Sequence, residues 1–310
     1  MEREVEERAF ELRRLLYPGY AYNLQHQFKP TRARKNVPAR PGFERGVDAA
    51  IEDARRVRTL RRWAKRDAAR SVHPAARFTP EAALALARRL EAPDERGRPN
   101  RTFSCAAYMR RYRLRFVGAA LRLAAEHPPE DLRLATIVPP DWRLPGTDLP
   151  ALQPRQLLER FRQQLVRAGL KEAKGWLIAF VHGDYDPTHD AYQPHLHILM
   201  TTGLLPVLAT VAGLPALRPG DPTEPGHVRR PVLVQRLNNP VRQISYHLAQ
   251  GFWPAKASYV EDGVWRRSRY RGRIRAPRSV EYLMWLDRLD FRDLVLLHGC
   301  RIGQGRLRAT

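Results

Sequence analysis

The spacing of apolar positions divides this chain into an arginine-rich helical beginning and a later region of short strand-like runs. Residues 5–16 predict a helix, followed by a loop rich in Pro and Arg over residues 28–38. Residues 46–70 predict a second helix that carries Arg55, Arg56, Arg58, Arg61, Arg62, Lys65 and Arg66 in nearly a full basic wrap. That helix reads either as a solvated element or as an arm tracking a nucleic-acid backbone. A short Ala/Leu helix over residues 80–90 and a polar linker over 91–100 come next. Over residues 102–126, Tyr108, Tyr112, Phe116, Ala119, Ala120 and Leu123 share one side of a long helix.

From Asp131 the pattern changes. Apolar runs at 132–138, 175–184, 192–201 and 231–237 predict strands, with helices over 153–170 and 239–252 and an irregular Pro/Gly stretch over 204–228. A basic loop over 266–278 leads to one or two amphipathic helices over 281–298. This order predicts an α+β fold, an antiparallel sheet with helices packed on one face, beside an Arg-rich helical N-terminal region. Three regions follow: residues 1–100, a core at 101–255, and a C-terminal basic loop and helices at 256–310.

Charge narrows the choice of partner. The 310 residues carry 55 Lys+Arg against 32 Asp+Glu, a net +23, which favours nucleic acid ahead of an anionic membrane surface. All but six of the cations are arginine, whose planar fork binds phosphate bidentately. A high-GC genome gives the same arginine bias, so the sign of the charge carries more weight than its spelling. No apolar run approaches the roughly 18 residues of a spanning helix, and the start Met1-Glu2-Arg3-Glu4 lacks the form of a signal peptide, so a cytoplasmic chain without membrane contact is expected. Cys105 and Cys300 form no C-x-x-C pair, which excludes a zinc ribbon and a disulfide framework. Neither a P-loop nor a Gly-x-Ser-x-Gly elbow occurs, so nucleotide-driven unwinding and serine hydrolysis find no support.

The sharpest local feature is Pro194-His195-Leu196-His197. Side chains alternate along a strand, so His195 and His197 share one face. The preceding run, Trp176 to Asp184, is apolar until His182. If the two strands pair antiparallel, three imidazoles converge into a ligand set for a divalent ion. Downstream, Val241, Ile244, Ser245, Leu248 and Phe252 make the buried stripe of the 239–252 helix, and Tyr246 lies off it with Arg242, Gln243 and Gln250. A tyrosine placed there reads either as a surface residue or, beside a metal and a phosphodiester, as a nucleophile.

The apolar run Leu134-Ala135-Thr136-Ile137-Val138-Pro139, then Pro194-His195-Leu196-His197, then the helical Tyr246, resembles the three ordered motifs of the HUH endonuclease superfamily. Within it the chain is similar to the single-tyrosine rolling-circle replication initiators. The extra ligand stands thirteen residues before the pair, at His182, where the family often has Glu. The resemblance covers residues 132–252, and the tyrosine follows the histidines, as in initiators and single-strand transposases and unlike conjugative relaxases. The second tyrosine of two-tyrosine enzymes would fall at Gln250. The lysine that many initiators place one turn beyond the tyrosine falls at Ala249 or Gln250.

The resemblance implies an HUH-like core in which His182, His195 and His197 bind Mn²⁺ or Mg²⁺. It further implies that Tyr246 nicks and rejoins single-stranded or extruded origin DNA through a 5′-phosphotyrosine, initiating rolling-circle replication of a plasmid or phage-like element with a host helicase to unwind. Three alternatives remain at this stage: a single-strand transposase, a non-catalytic DNA-binding descendant, and a basic RNA-binding protein with an incidental His-x-His.

Overall fold

The computed structural model describes residues 46–67, 78–92, 100–249, 252–303 and 306–310. The helix and loop expected at 5–16 and 28–38 lie outside the described residues, as does most of the 91–100 linker. Three helices come first: α1 (Gly46–Asp67), α2 (Pro80–Glu91) and α3 (Ala106–Ala125). The central part holds β1 (Leu132–Ile137), β2 (Leu144–Pro145), α4 (Pro154–Arg167), β3 (Leu177–Asp186), β4 (Ala191–Thr201), α5 (Leu205–Ala212), β5 (Val232–Arg236) and α6 (Pro240–Ala249). The chain closes with β6 (Ser258–Glu261), β7 (Val264–Arg267), α7 (Arg278–Leu286), α8 (Phe291–Leu294), β8 (Val295–His298), β9 (Cys300–Gly303) and β10 (Arg306–Ala309).

The fold is α+β. One antiparallel sheet runs in the order β5-β1-β4-β3-β8, and β2 pairs with the start of β4. Every residue of β3 and β4 is buried, as befits central strands covered on both faces. The expectation of helices on one face is corrected here. Helix α6 packs against β3 and β4 on the face of His182, whereas on the reverse face Tyr192 meets Trp253 and, from α7, Tyr282. Gly183 is required at that contact, since a Cβ there would stand 2.6 Å from the Trp253 ring.

Three further segments differ from the sequence reading. The second half of the 281–298 stretch is strand β8, which pairs with residues 177–180 of β3, because Val295-Leu296-Leu297 completes the sheet edge. The basic loop over 266–278 begins inside the β6–β7 hairpin. The irregular 204–228 stretch opens with α5, where Leu205-Pro206-Val207-Leu208 places proline in the first turn, a position helices tolerate.

Helix α1 is amphipathic rather than basic all round. Ala49, Val57, Leu60 and Ala64 are buried, and the helix packs against α2 and α3 while exposing Arg55, Arg58, Arg61, Arg62, Lys65 and Arg66. Arg56 is buried: it lies 3.6 Å from the centroid of the Phe252 ring and donates to the Ser104 carbonyl at 2.8 Å. Asp53 ties α1 to the core, accepting from the Ala106 and Ala107 amides at 2.6 and 3.0 Å and so capping α3 from another element. The same carboxylate accepts a hydrogen bond from the Cys105 thiol at 3.3 Å. Burial, with that neighbouring charge, pushes the thiol up to about 12, which makes Cys105 an unreactive core group. No described helix is long and apolar enough to cross a membrane.

Asp53→Ala is expected to lower folding stability by about 2 kcal/mol, since it leaves two amides of a buried helix start uncapped. Chemical denaturation monitored by circular dichroism checks this; an unchanged midpoint would mean that the cap contributes nothing.

Candidate metal and tyrosine site

Strands β3 and β4 pair residue by residue from Leu177↔Met200 to Asp186↔Ala191, which sets His182 opposite His195 and Phe180 opposite His197. Strand alternation then brings all three imidazoles onto one face, with His197 diagonal to His182. The His182 and His197 rings stack with centroids 4.2 Å apart and planes 7° apart, and His195 lies 5.0 Å from His197 and 6.0 Å from His182. One ring nitrogen from each residue lies within 4.8 Å of the others, so the three could hold a metal ion.

The protonation states suit that role. Burial pushes His195 down to about 4, the Asp184 charge opposing and the Lys256 charge reinforcing the shift. Burial, followed by the neighbouring imidazoles, holds His197 well below its ordinary value. Both are therefore neutral at pH 7, the form that offers a lone pair to a metal. The His195 Nδ1 donates to the Gln193 carbonyl at 3.2 Å, which leaves Nε2 as its free lone pair. The His197 Nδ1 is buried and has no hydrogen-bond partner in the structure. A buried ring nitrogen without a hydrogen-bond partner, beside two further imidazoles, fits a divalent ion.

Helix α6 lays the other component across these strands. Val241, Ile244, Ser245 and Leu248 are buried, as is Phe252 beyond the helix end, matching the stripe read from the sequence. Tyr246 is half-buried, with its ring centroid 5.7 Å from that of His197. Its hydroxyl accepts a hydrogen bond from the Arg271 guanidinium, which also lies 4.9 Å from the centre of its ring. The structure thus brings His182, His195, His197 and Tyr246 together.

Three neighbours escaped the sequence reading. His247 stacks toward His197 at 4.6 Å and donates from Nδ1 to the Gln243 carbonyl at 2.8 Å. Arg271 arrives from the basic loop. Lys256 comes from the segment beyond α6, whose backbone pairs with Tyr185 at the end of β3. Its ammonium is 2.8 Å from Asp184, a buried carboxylate on the histidine face that Arg267 also contacts. Burial pushes Asp184 up, but Lys256 and Arg267 more than offset this and hold it below the carboxylate range. A lysine thus stands at this site without following the tyrosine by one turn. Only its rarity, one of six in the chain, marked it in the sequence.

The β3–β4 turn is pinned by Asp186. This fully buried carboxylate accepts from Ser258 Oγ at 2.7 Å and meets His189 Nδ1 at 2.8 Å, Arg267 at 3.1 Å and Arg143 at 3.2 Å. Burial raises its pKa, but those hydrogen bonds and charges win and hold it far below the ordinary range.

No family model matches the chain, and neither the curated proteins nor the solved structures provide a match.

Calorimetric titration with Mn²⁺ is expected to show one site, weakened at least ~10-fold by His195→Ala or His197→Ala. His247→Ala should leave the affinity in place, because that residue is outside the ligand cluster. A loss confined to His247→Ala would move the site. For Asp186, a depressed folded pKa contributes stability that is fully present above the unfolded value of ~3.9 and is lost as the pH falls toward the folded one. Asp186→Asn should therefore cost about 3 kcal/mol at pH 7, with the gap closing below about pH 4. Denaturation midpoints across that range check it; a gap independent of pH would contradict the assignment.

Proposed function

We propose that this chain is a metal-dependent HUH-type endonuclease that nicks and rejoins single-stranded DNA through a 5′-phosphotyrosine at Tyr246. The observation that carries the reading is the convergence of three histidine nitrogens within 4.8 Å of one another beside the half-buried Tyr246. His182, His195 and His197 would hold Mn²⁺ or Mg²⁺. A divalent ion bound there supplies Lewis acidity to a phosphate oxygen.

The chain's own groups account for the rest. Arg271 orients the Tyr246 hydroxyl and stabilises negative charge as it develops on the phenolic oxygen. That oxygen forms a bond to phosphorus as the bond from phosphorus to O3′ breaks; the phenolic proton passes to water and the leaving O3′ takes a proton from water, giving the free 3′-OH. The phosphotyrosine keeps the energy of the broken ester, so attack by a 3′-OH reverses the step and rejoins the strand. Lys256 adds a second cation beside the histidines and keeps Asp184 engaged away from the phosphate.

The setting we propose for this chemistry is initiation of rolling-circle replication of a plasmid or phage-like element, in the cytoplasm and with a host helicase. The net charge of +23 supports a nucleic-acid substrate. Single-strand transposition is the second reading within the same chemistry.

With Mn²⁺ and a library of single-stranded oligonucleotides, the protein is expected to form a covalent adduct that Tyr246→Phe abolishes without loss of binding. Arg271→Ala should slow adduct formation by ~10²-fold, the scale of losing one preorganised donor. Denaturing gels and peptide mapping read both; an adduct that persists in Tyr246→Phe would place the nucleophile elsewhere.

A further inference from the structure

Beside the tyrosine, a groove of about 530 Å³ opens between α1 and residues 270–276. Arg55 and Arg62 of α1 line one wall, seven residues and so two helical turns apart on one face. Tyr270, Arg271 and Arg275 line the other, and Trp253 is part of the floor.

Among the described residues the charge in this groove is uncompensated. The one carboxylate among its described lining residues, Glu52, is already committed to Arg56 at 3.5 Å and to Arg273 at 2.6 Å. Arg55, Arg62 and Arg275 are exposed, and among the described residues none has a carboxylate within ion-pair distance. Three guanidinium groups facing one trough repel one another unless an anion joins them. Tyr270 is 73 % exposed at the rim, the most exposed large hydrophobic side chain in the described fold. A ring held there gains little from folding, and it presents a face on which a base can stack.

The walls are held in place. Gly272 and Ala255 exchange two backbone hydrogen bonds at 2.7 and 3.0 Å, anchoring the loop beside β3, and Arg273 fastens it to α1 through Glu52. Arg271 lines the groove and also donates to the Tyr246 hydroxyl, so one side chain joins the trough to the tyrosine.

We infer that this groove seats the single-stranded DNA flanking the phosphate attacked by Tyr246, with backbone phosphates on Arg55, Arg62 and Arg275 and a base against Tyr270. The choice of DNA rests on the proposed function. The choice of an anionic, base-bearing strand rests on the groove itself, which sets three exposed guanidinium groups beside an exposed aromatic ring.

The test is equilibrium binding of the full chain to a labelled oligodeoxynucleotide, by fluorescence anisotropy over a range of salt and without added metal. Losing three phosphate contacts in Arg55→Ala/Arg62→Ala/Arg275→Ala should flatten the plot of log K against log salt by about 2, at ~0.7 per contact. Tyr270→Ala should weaken binding by ~10-fold. Arg155→Ala/Arg160→Ala/Arg167→Ala removes the same charge from exposed positions of α4 and should leave the slope near that of the native protein. An equal flattening in that control, an unchanged slope in the groove variant, or a preference for duplex or RNA would overturn the inference. Because no chemistry is read, a protein that shows these losses but forms no tyrosine adduct keeps the groove. One that forms the adduct but shows no losses refutes it.

Discussion

The register between β3 and β4 is the constraint on which this site depends. His182 faces His195 only because Leu177 pairs with Met200 and Asp186 with Ala191. A slip of one residue would turn one strand's histidines to the opposite face, since side chains alternate with a period of two. The alternatives are costly. Both faces are packed, so a slip would also drive Leu196, Ile198 and Met200, which are fully buried, out of their places in the core. The apolar residues thus set the register, and the histidines share a point because of it. At the turn, Asp186 and its partners Ser258, His189, Arg267 and Arg143 hold the end of the hairpin against the segment at Ser258.

Around that fixed pair, the chemistry is assembled from distant parts of the chain. Helix α6 brings Tyr246, the loop after β7 brings Arg271, and the segment between α6 and β6 brings Lys256. The cations on this side are counterweighted unevenly. Lys256 and Arg267 are matched by Asp184, whereas Arg271 meets the phenolic oxygen and the ring of Tyr246. Net positive charge therefore accumulates toward the tyrosine and along the groove by α1, which is where an incoming polyanion would be drawn. Asp53 contributes indirectly: by capping α3 it seats α1, and with it Arg55 and Arg62, against the core.

Much of this could be read from the sequence because the relevant patterns are local. Strand alternation placed His195 and His197 on one face, and the helical stripe from Val241 to Phe252 left Tyr246 outside it. Contacts between distant segments were invisible for the complementary reason. Nothing near Lys256 or Arg271 in the chain announces a histidine on β4, and Arg56 looked like one more exposed arginine until Phe252 and Ser104 enclosed it. Strand β8 was hidden by the amphipathic spacing of Glu281–Leu286 just before it. Its four residues become a strand because the edge of β3 offers hydrogen bonds, a tertiary cause that overrides local preference.

In the proposed function, one point in the fold serves both a metal ion and the tyrosine. Anomalous diffraction from a crystal of the full chain soaked in Mn²⁺ tests it most directly. A single strong peak is expected, enclosed by ring nitrogens of His182, His195 and His197, on the side of the sheet that carries Tyr246. A peak at Asp184 or Asp186 with none among the histidines, or no peak at a saturating concentration, would contradict it.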